Sequence, residues 1–186
     1  MIAKLDGVHH AAFVMWNPEE TVRFYRDILG FPIIHCITAK GWGQEGHADF
    51  VHIFFDAGHD NVMAFFYYFG ESPRDQRSKD YVHNGRHTAL RVESKAELER
   101  WRERLAEHGI NASPVIEHEV IASLYFTDPN GYPMEITTQL RPFEPRDRSD
   151  ADATVAAFLE AVKAGEGALG MWRRKGERVA RAFEPA

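Results

Sequence analysis

Val8-His9-His10-Ala11-Ala12-Phe13-Val14, followed by Asn17-Pro18-Glu19-Glu20, is matched further along the chain by His87-Thr88-Ala89-Leu90-Arg91-Val92 and Ser94-Lys95-Ala96-Glu97. In each case a short run patterned as a strand carries a histidine and gives way to a helix start. Asn17 can cap the first helix, Pro18 suits its first turn and Glu20 can close a capping box, as Ser94 and Glu97 can in the second. Both helices then show one apolar face, Val22, Tyr25 and Leu29 in one and Leu98, Trp101 and Leu105 in the other, and each reaches a stop glycine, Gly30 or Gly109.

Strand-like runs separated by turn residues follow each helix. In the first half they are Phe31 to Thr38, Asp49 to Phe55 and Asn61 to Phe69; in the second, Ile110 to Pro114, Ala122 to Thr127 and Tyr132 to Thr138. Each half therefore reads βαβββ, with modules at 5–70 and 84–140. The separation between matched positions is 77 residues at His10 and His87 but 71 where His52-Ile53-Phe54-Phe55 meets Ser123-Leu124-Tyr125-Phe126. The difference points to an insertion in the first half, in the Gly-rich stretch Lys40 to Gly46. A repeat of this kind implies two modules about a pseudo-twofold axis, neither able to bury its sheet alone. The polar stretch Glu71 to Asn84 reads as a linker or a flap. From Pro142 the chain changes character, and Val155, Phe158, Leu159 and Val162 at helical spacing predict a helix from Asp150, then a second one through Trp172 and Val179. The expected layout is a domain over 1–140 and a helical tail over 141–186.

The chain's 186 residues, 44% of them hydrophobic and 27% charged, can bury a core. A formal net charge of −6 with scattered basic residues argues against a nucleic-acid surface, and no stretch suits a membrane span. One cysteine, Cys36, excludes an internal disulfide framework, and with no apolar leader pattern at MIAKLDGVHH the expected compartment is the cytoplasm.

Strand alternation puts His10, Ala12 and Val14 on one face and His9, Ala11 and Phe13 on the other. The repeat selects His10 as the partner of His87, and Glu135 adds a carboxylate from an otherwise apolar strand. Buried alone, that carboxylate would cost several kcal/mol, roughly, so it calls for a partner. Ala64 holds the matching position in the first half, giving one carboxylate and not two. Two imidazoles and a carboxylate leave coordination positions open, as in non-haem Fe(II) sites, and Mn(II) or another divalent metal suits the same donors.

Taken with the helix end Phe24-Tyr25-Arg26-Asp27-Ile28-Leu29-Gly30-Phe31 and the stretch Tyr125 to Glu135, these strands resemble the vicinal oxygen chelate superfamily of glyoxalases, bleomycin-resistance proteins and type I extradiol ring-cleaving dioxygenases. The resemblance covers residues 5 to 139. It implies an α+β fold in which paired βαβββ modules form an open, cupped mixed sheet around a metal, here with a C-terminal helical extension. Ile116-Glu117-His118, Leu124-Tyr125, Asp128-Pro129-Asn130-Gly131 and Glu135 are similar to the extradiol pattern. That implies His118 as acid or base, Tyr125 as hydrogen-bond donor, and cleavage of a small catechol-like diol by Fe(II) and O2. Phe54, Phe65, Phe66, Tyr67 and Trp42 are candidate pocket walls, His9 and His83 candidate neighbours of the ligands. A glyoxalase-type metal-dependent isomerase or lyase and a non-catalytic aromatic-drug-binding protein stay open as alternatives. The family's habit of pairing and the helical tail imply a homo-oligomer.

Overall fold

Asn17 caps the first helix as its sequence suggests. Its side-chain oxygen accepts from the Glu20 amide at 3.2 Å, and Pro18 fills the first turn. The computed structural model of the chain describes residues 8–40, 46–73 and 85–182. Strand β1 (His10–Val14) leads into α1 (Pro18–Val22), which widens into a π-helical stretch, Arg23–Ile28, before Gly30 ends it at φ +79. Strands β2 (Ile33–Ala39), β3 (Phe50–Asp56) and β4 (Val62–Tyr68) complete the first module. The second repeats the order with β5 (Thr88–Arg91), α2 (Lys95–Glu107), β6 (Ile116–His118), β7 (Ile121–Thr127) and β8 (Pro133–Gln139). Helices α3 (Pro145–Lys163) and α4 (Ala168–Ala182) follow.

Each module forms one four-stranded mixed sheet, ordered β1-β4-β3-β2 and β5-β8-β7-β6, and in each the first strand runs parallel to the last. The ladders carry the repeat residue by residue. Ala12 pairs with Ala64 where Ala89 pairs with Glu135, and Phe54 pairs with Ala64 where Tyr125 pairs with Glu135. The excess length of the first module lies in the link between β2 and β3, residues 40–49, against 119–120 between β6 and β7. Of the Gly-rich stretch, residues 41–45 are outside the described segments, as are Trp42, His83 and 74–84 of the expected flap.

Alternation sorts each strand between two environments. Ala11 and Phe13 of β1 turn toward a shared core of Phe24, Tyr25, Ile28, Phe55, Met63, Phe65, Leu98, Leu105, Leu124, Phe126, Met134 and Ile136, while His10 and Ala12 are exposed on the other face. The Asp128-Pro129-Asn130-Gly131 turn ties the modules together. Asp128 accepts from Tyr25 Oη at 2.9 Å, from the Asn130 amide at 2.9 Å and from the Tyr132 amide at 2.7 Å. Asn130 Oδ1 accepts from the Trp16 amide at 3.0 Å, and Tyr132 Oη donates to the Val14 carbonyl at 3.0 Å.

Three local expectations are corrected. Residues Ile110 to Pro114 do not form a strand; the strand is Ile116–His118. Ser113 donates its amide to the Tyr125 carbonyl and accepts the Tyr125 amide on Oγ, at 2.8 and 3.0 Å, and Pro114, lacking an N–H, cannot extend that ladder. Ser94 makes no side-chain cap; Glu97 reaches past it to the Glu93 amide at 2.8 Å. The tail helix starts at Pro145, not Asp150, because Glu144 and Asp147 form a capping box there, with Arg141 held on Asp147 at 2.6 and 2.7 Å.

Two compact units result, Met1–Gln139 and Leu140–Ala186. Among the described residues no helix is long and apolar enough to cross a membrane.

Candidate metal centre

Glu135 sits in mid-strand, its side chain 5% exposed, between β5 and β7. A carboxylate there needs compensation, and His87 supplies it: Nε2 lies 2.7 Å from Glu135 Oε2. The two meet because Ala89 pairs with Glu135 on parallel strands, and His87, two residues before it, projects from the same face.

Tyr125, directly opposite Glu135 on β7, extends the cluster. Its hydroxyl donates toward Glu135 Oε1 at 3.5 Å and lies 3.0 Å from His118 Nε2. A phenol has one proton, so both contacts are satisfied when His118 carries its hydrogen on Nε2 and donates to the phenol oxygen. Burial, and next the Glu135 charge, push the Tyr125 hydroxyl above its usual range, which keeps it a donor at neutral pH. His118 is exposed on edge strand β6.

His10 stands apart from that group. Its Nδ1 lies 2.8 Å from His9 Nδ1, and its ring packs near Phe54 and His52 at centroid distances of 5.7 and 6.2 Å. With Nδ1 engaged by His9, Nε2 is the ring nitrogen that a ligand role for His10 would use. Among the described residues, no three His, Cys, Asp or Glu side chains form a group that could hold a metal ion within one chain. His87 and Glu135 fit a divalent cation as a nitrogen and oxygen donor pair: the carboxylate is buried against an imidazole, and among the described residues it forms no ion pair with Lys or Arg.

Several residues that shape this region escape the sequence patterns. His52, 4% exposed, stacks on Phe66 at 3.5 Å and 15°; burial first, then His10 and His35, push it down to about 4. Its place on the His10 face follows from alternation along β3, a signal that becomes readable once the repeat is in register. Phe54 and Phe66 share that face, whereas Phe65 lies in the core and Tyr67 packs against it.

The glyoxalase/bleomycin resistance protein/dioxygenase superfamily matches residues 7–136. A Bacillus subtilis (strain 168) protein named "Putative ring-cleaving dioxygenase MhqA" is 27% identical over 122 residues, 64% of this chain and 35% of that protein. The chain thus spans about a third of that relative's length. Among solved structures, SMU.1112c superposes with a TM-score of 0.55 at 23% identity, over 72% of this chain and 99% of that one. A mutant of the fosfomycin resistance protein FosX of Listeria monocytogenes, complexed with Mn(II) and 1S,2S-dihydroxypropylphosphonic acid, gives a TM-score of 0.53 at 18% identity, over 73% of this chain and 94% of that one. At these identities the likeness is one of fold. Paired βαβββ modules in the expected register, a buried glutamate with a histidine beside it from the adjacent strand, and a family match over the greater part of its length together make this chain a member of the glyoxalase/bleomycin resistance protein/dioxygenase superfamily.

Proposed function

We propose that the protein is an Fe(II)-dependent extradiol-type dioxygenase that opens the ring of a small catechol-like diol with O2. The observation that carries this reading is the Tyr125 hydroxyl, set between His118 Nε2 and the Glu135 carboxylate that His87 touches. A glyoxalase-type isomerase would use a further ligand, a carboxylate from the first module, and Ala64 holds the position that matches Glu135 here. The 27% identity to a protein named as a ring-cleaving dioxygenase supports the same choice.

His10, His87 and Glu135 would hold the metal. Because the three do not form one group within a single chain, we propose that they close across two copies, His10 from one and His87 with Glu135 from the other. Bound iron would supply a common anchor for the diol and O2 and a route for electron density between them. The chain's own residues handle protons. His118 accepts the proton of one substrate hydroxyl on binding and returns it as the ring carbon–carbon bond beside the diol breaks. Tyr125 donates to the oxygen on which charge develops. Both atoms of O2 enter the product, a ring-opened semialdehyde acid.

The test is anaerobic reconstitution with Fe(II), then air and a panel of catechols. Oxygen uptake with a yellow ring-opened product is expected. No uptake with any diol, while Ni(II) or Zn(II) supports isomerisation, would sink the reading.

A further inference from the structure

We propose that one side of the tail helices α3 and α4 is a docking surface for the same side of a second copy of this chain. The four helices pair about a twofold axis, with Trp172 of each copy filling a gap over Gly176 of the other. The pairing needs neither metal nor substrate, so it stands apart from the reaction proposed above.

The tail unit puts its small side chains inside and its large ones outside. Helices α3 and α4 are joined by the short link 164–167 and run antiparallel. Ion pairs hold α4 in place: Arg174 with Glu160 and Glu166 at 3.6 and 3.0 Å, Lys175 with Asp150 at 2.8 Å, and Arg178 with Glu160. On α3 it is Ala157 and Ala161 that are buried. Val155, Phe158, Leu159 and Val162 of α3 and Leu169, Trp172 and Val179 of α4 are all exposed, Leu169 at 78% and Trp172 at 60%. In each helix these residues recur at helical spacing and make one row. At about 100° per residue, the α3 row lies roughly 130° from Ala157 and Ala161, and the α4 row lies as far from Arg174, Lys175 and Arg178. Both turns have the same sense along the chain, so in an antiparallel pair they bring the two rows to the same side of the hairpin. The seven side chains leave on the order of 800 Å² uncovered there, more than a monomer ordinarily exposes and about what one partner gives to a stable interface.

Shape and charge identify the occupant. Trp172 projects from the α4 row, and one turn further along the same row Gly176 has open space where a Cβ would stand. A projection and a gap four residues apart are self-complementary when two α4 helices lie antiparallel about a twofold axis, because each Trp172 then meets the other copy's Gly176. The ion pairs set residues 150–160 of α3 beside 174–178 of α4, so the α3 row reaches the same axis. A helix that lies on an anionic bilayer presents free bases beside its apolar face. Here Arg173, Arg174, Lys175 and Arg178 are all paired with Asp150, Glu160 or Glu166.

The test is sedimentation equilibrium of the full chain in a metal chelator, with helix content followed by circular dichroism. Wild type should be a dimer at micromolar concentration. Leu159→Glu and Trp172→Ala should keep their helix content and each weaken pairing about a hundredfold. If one of them fails to fold, the other still decides. Gly176→Leu adds apolar surface and helix propensity, so it would tighten an unspecific apolar contact; by filling the gap it should instead weaken the dimer about tenfold. A monomeric wild type, unchanged pairing in folded Leu159→Glu or Trp172→Ala, or tighter pairing in Gly176→Leu overturns the proposal. So does flotation of wild type with phosphatidylglycerol vesicles, which would give this face to a membrane.

Discussion

Tyr125 and His118 touch each other, but only Tyr125 touches a proposed ligand, and the difference predicts how their variants behave. His118→Ala should retain iron, measured by metal content after gel filtration, and lose about 10²- to 10⁴-fold in turnover. Loss of the metal instead would show that the ligands are misassigned. At His52 the consequence is one of pH. Its folded value of about 4 lies below the ordinary 6.5, so the imidazole is neutral in the fold while the unfolded chain takes up a proton as the pH falls. The stability tied to a neutral His52 is present above pH 6.5 and is lost as the pH drops toward 4, on the order of 1–3 kcal/mol. Urea unfolding of wild type and His52→Phe at about pH 7 and pH 4.5 should show a smaller acid loss in the variant, and equal losses would refute the assignment. The pairing of His87 with Glu135 was legible in the sequence because alternation and the repeat both act on strands. His52 was not, because a buried histidine without a motif looks like any other until its neighbours across the ladder are known.

At the scale of elements, the turn at Asp128 to Gly131 holds the first helix against the second module. Its main tie is the Tyr25 hydroxyl on Asp128 at 2.9 Å, with both groups buried. Burial first, and then the Asp128 charge, push the Tyr25 hydroxyl well above its usual range, so the phenol stays a donor to the carboxylate. Tyr25→Phe keeps the ring among Phe24, Phe55 and Phe65 and deletes that donor. It should cost about 1–3 kcal/mol in denaturant unfolding, and a loss near zero would mean that the turn needs no such tie. The π-helical stretch brings Phe24, Tyr25 and Ile28 inward together, a local widening that the 3.6-residue pattern did not announce. Strand β6 is concealed in the sequence for a related reason. Apolar content favoured Ile110 to Pro114, yet Ser113 and Pro114 end the pairing there, and a polar Ile-Glu-His edge carries the ladder. Edge strands are written in hydrogen bonds more than in hydrophobicity.

For the whole molecule, periodicity and repeat say which residues share a face, but not which face meets which. That is why two βαβββ modules and the three candidate ligands can be read from sequence, while whether His10 closes onto His87 and Glu135 of its own chain or of another copy cannot. Proposing closure across two copies makes a prediction that closure within one chain does not. His10→Ala and Glu135→Ala should each bind metal poorly and be inactive alone. Unfolded together and refolded as a mixture, random pairing makes about half of the dimers mixed, and each mixed dimer regains one intact site of two, with His10 from one copy and His87 and Glu135 from the other. The mixture should then recover about a quarter of wild-type iron content and turnover. Were the trio to close within each chain, every chain in the mixture would still lack a ligand and neither quantity would rise. Iron content is the more telling readout, since it tests the pairing of the ligands without assuming any reaction.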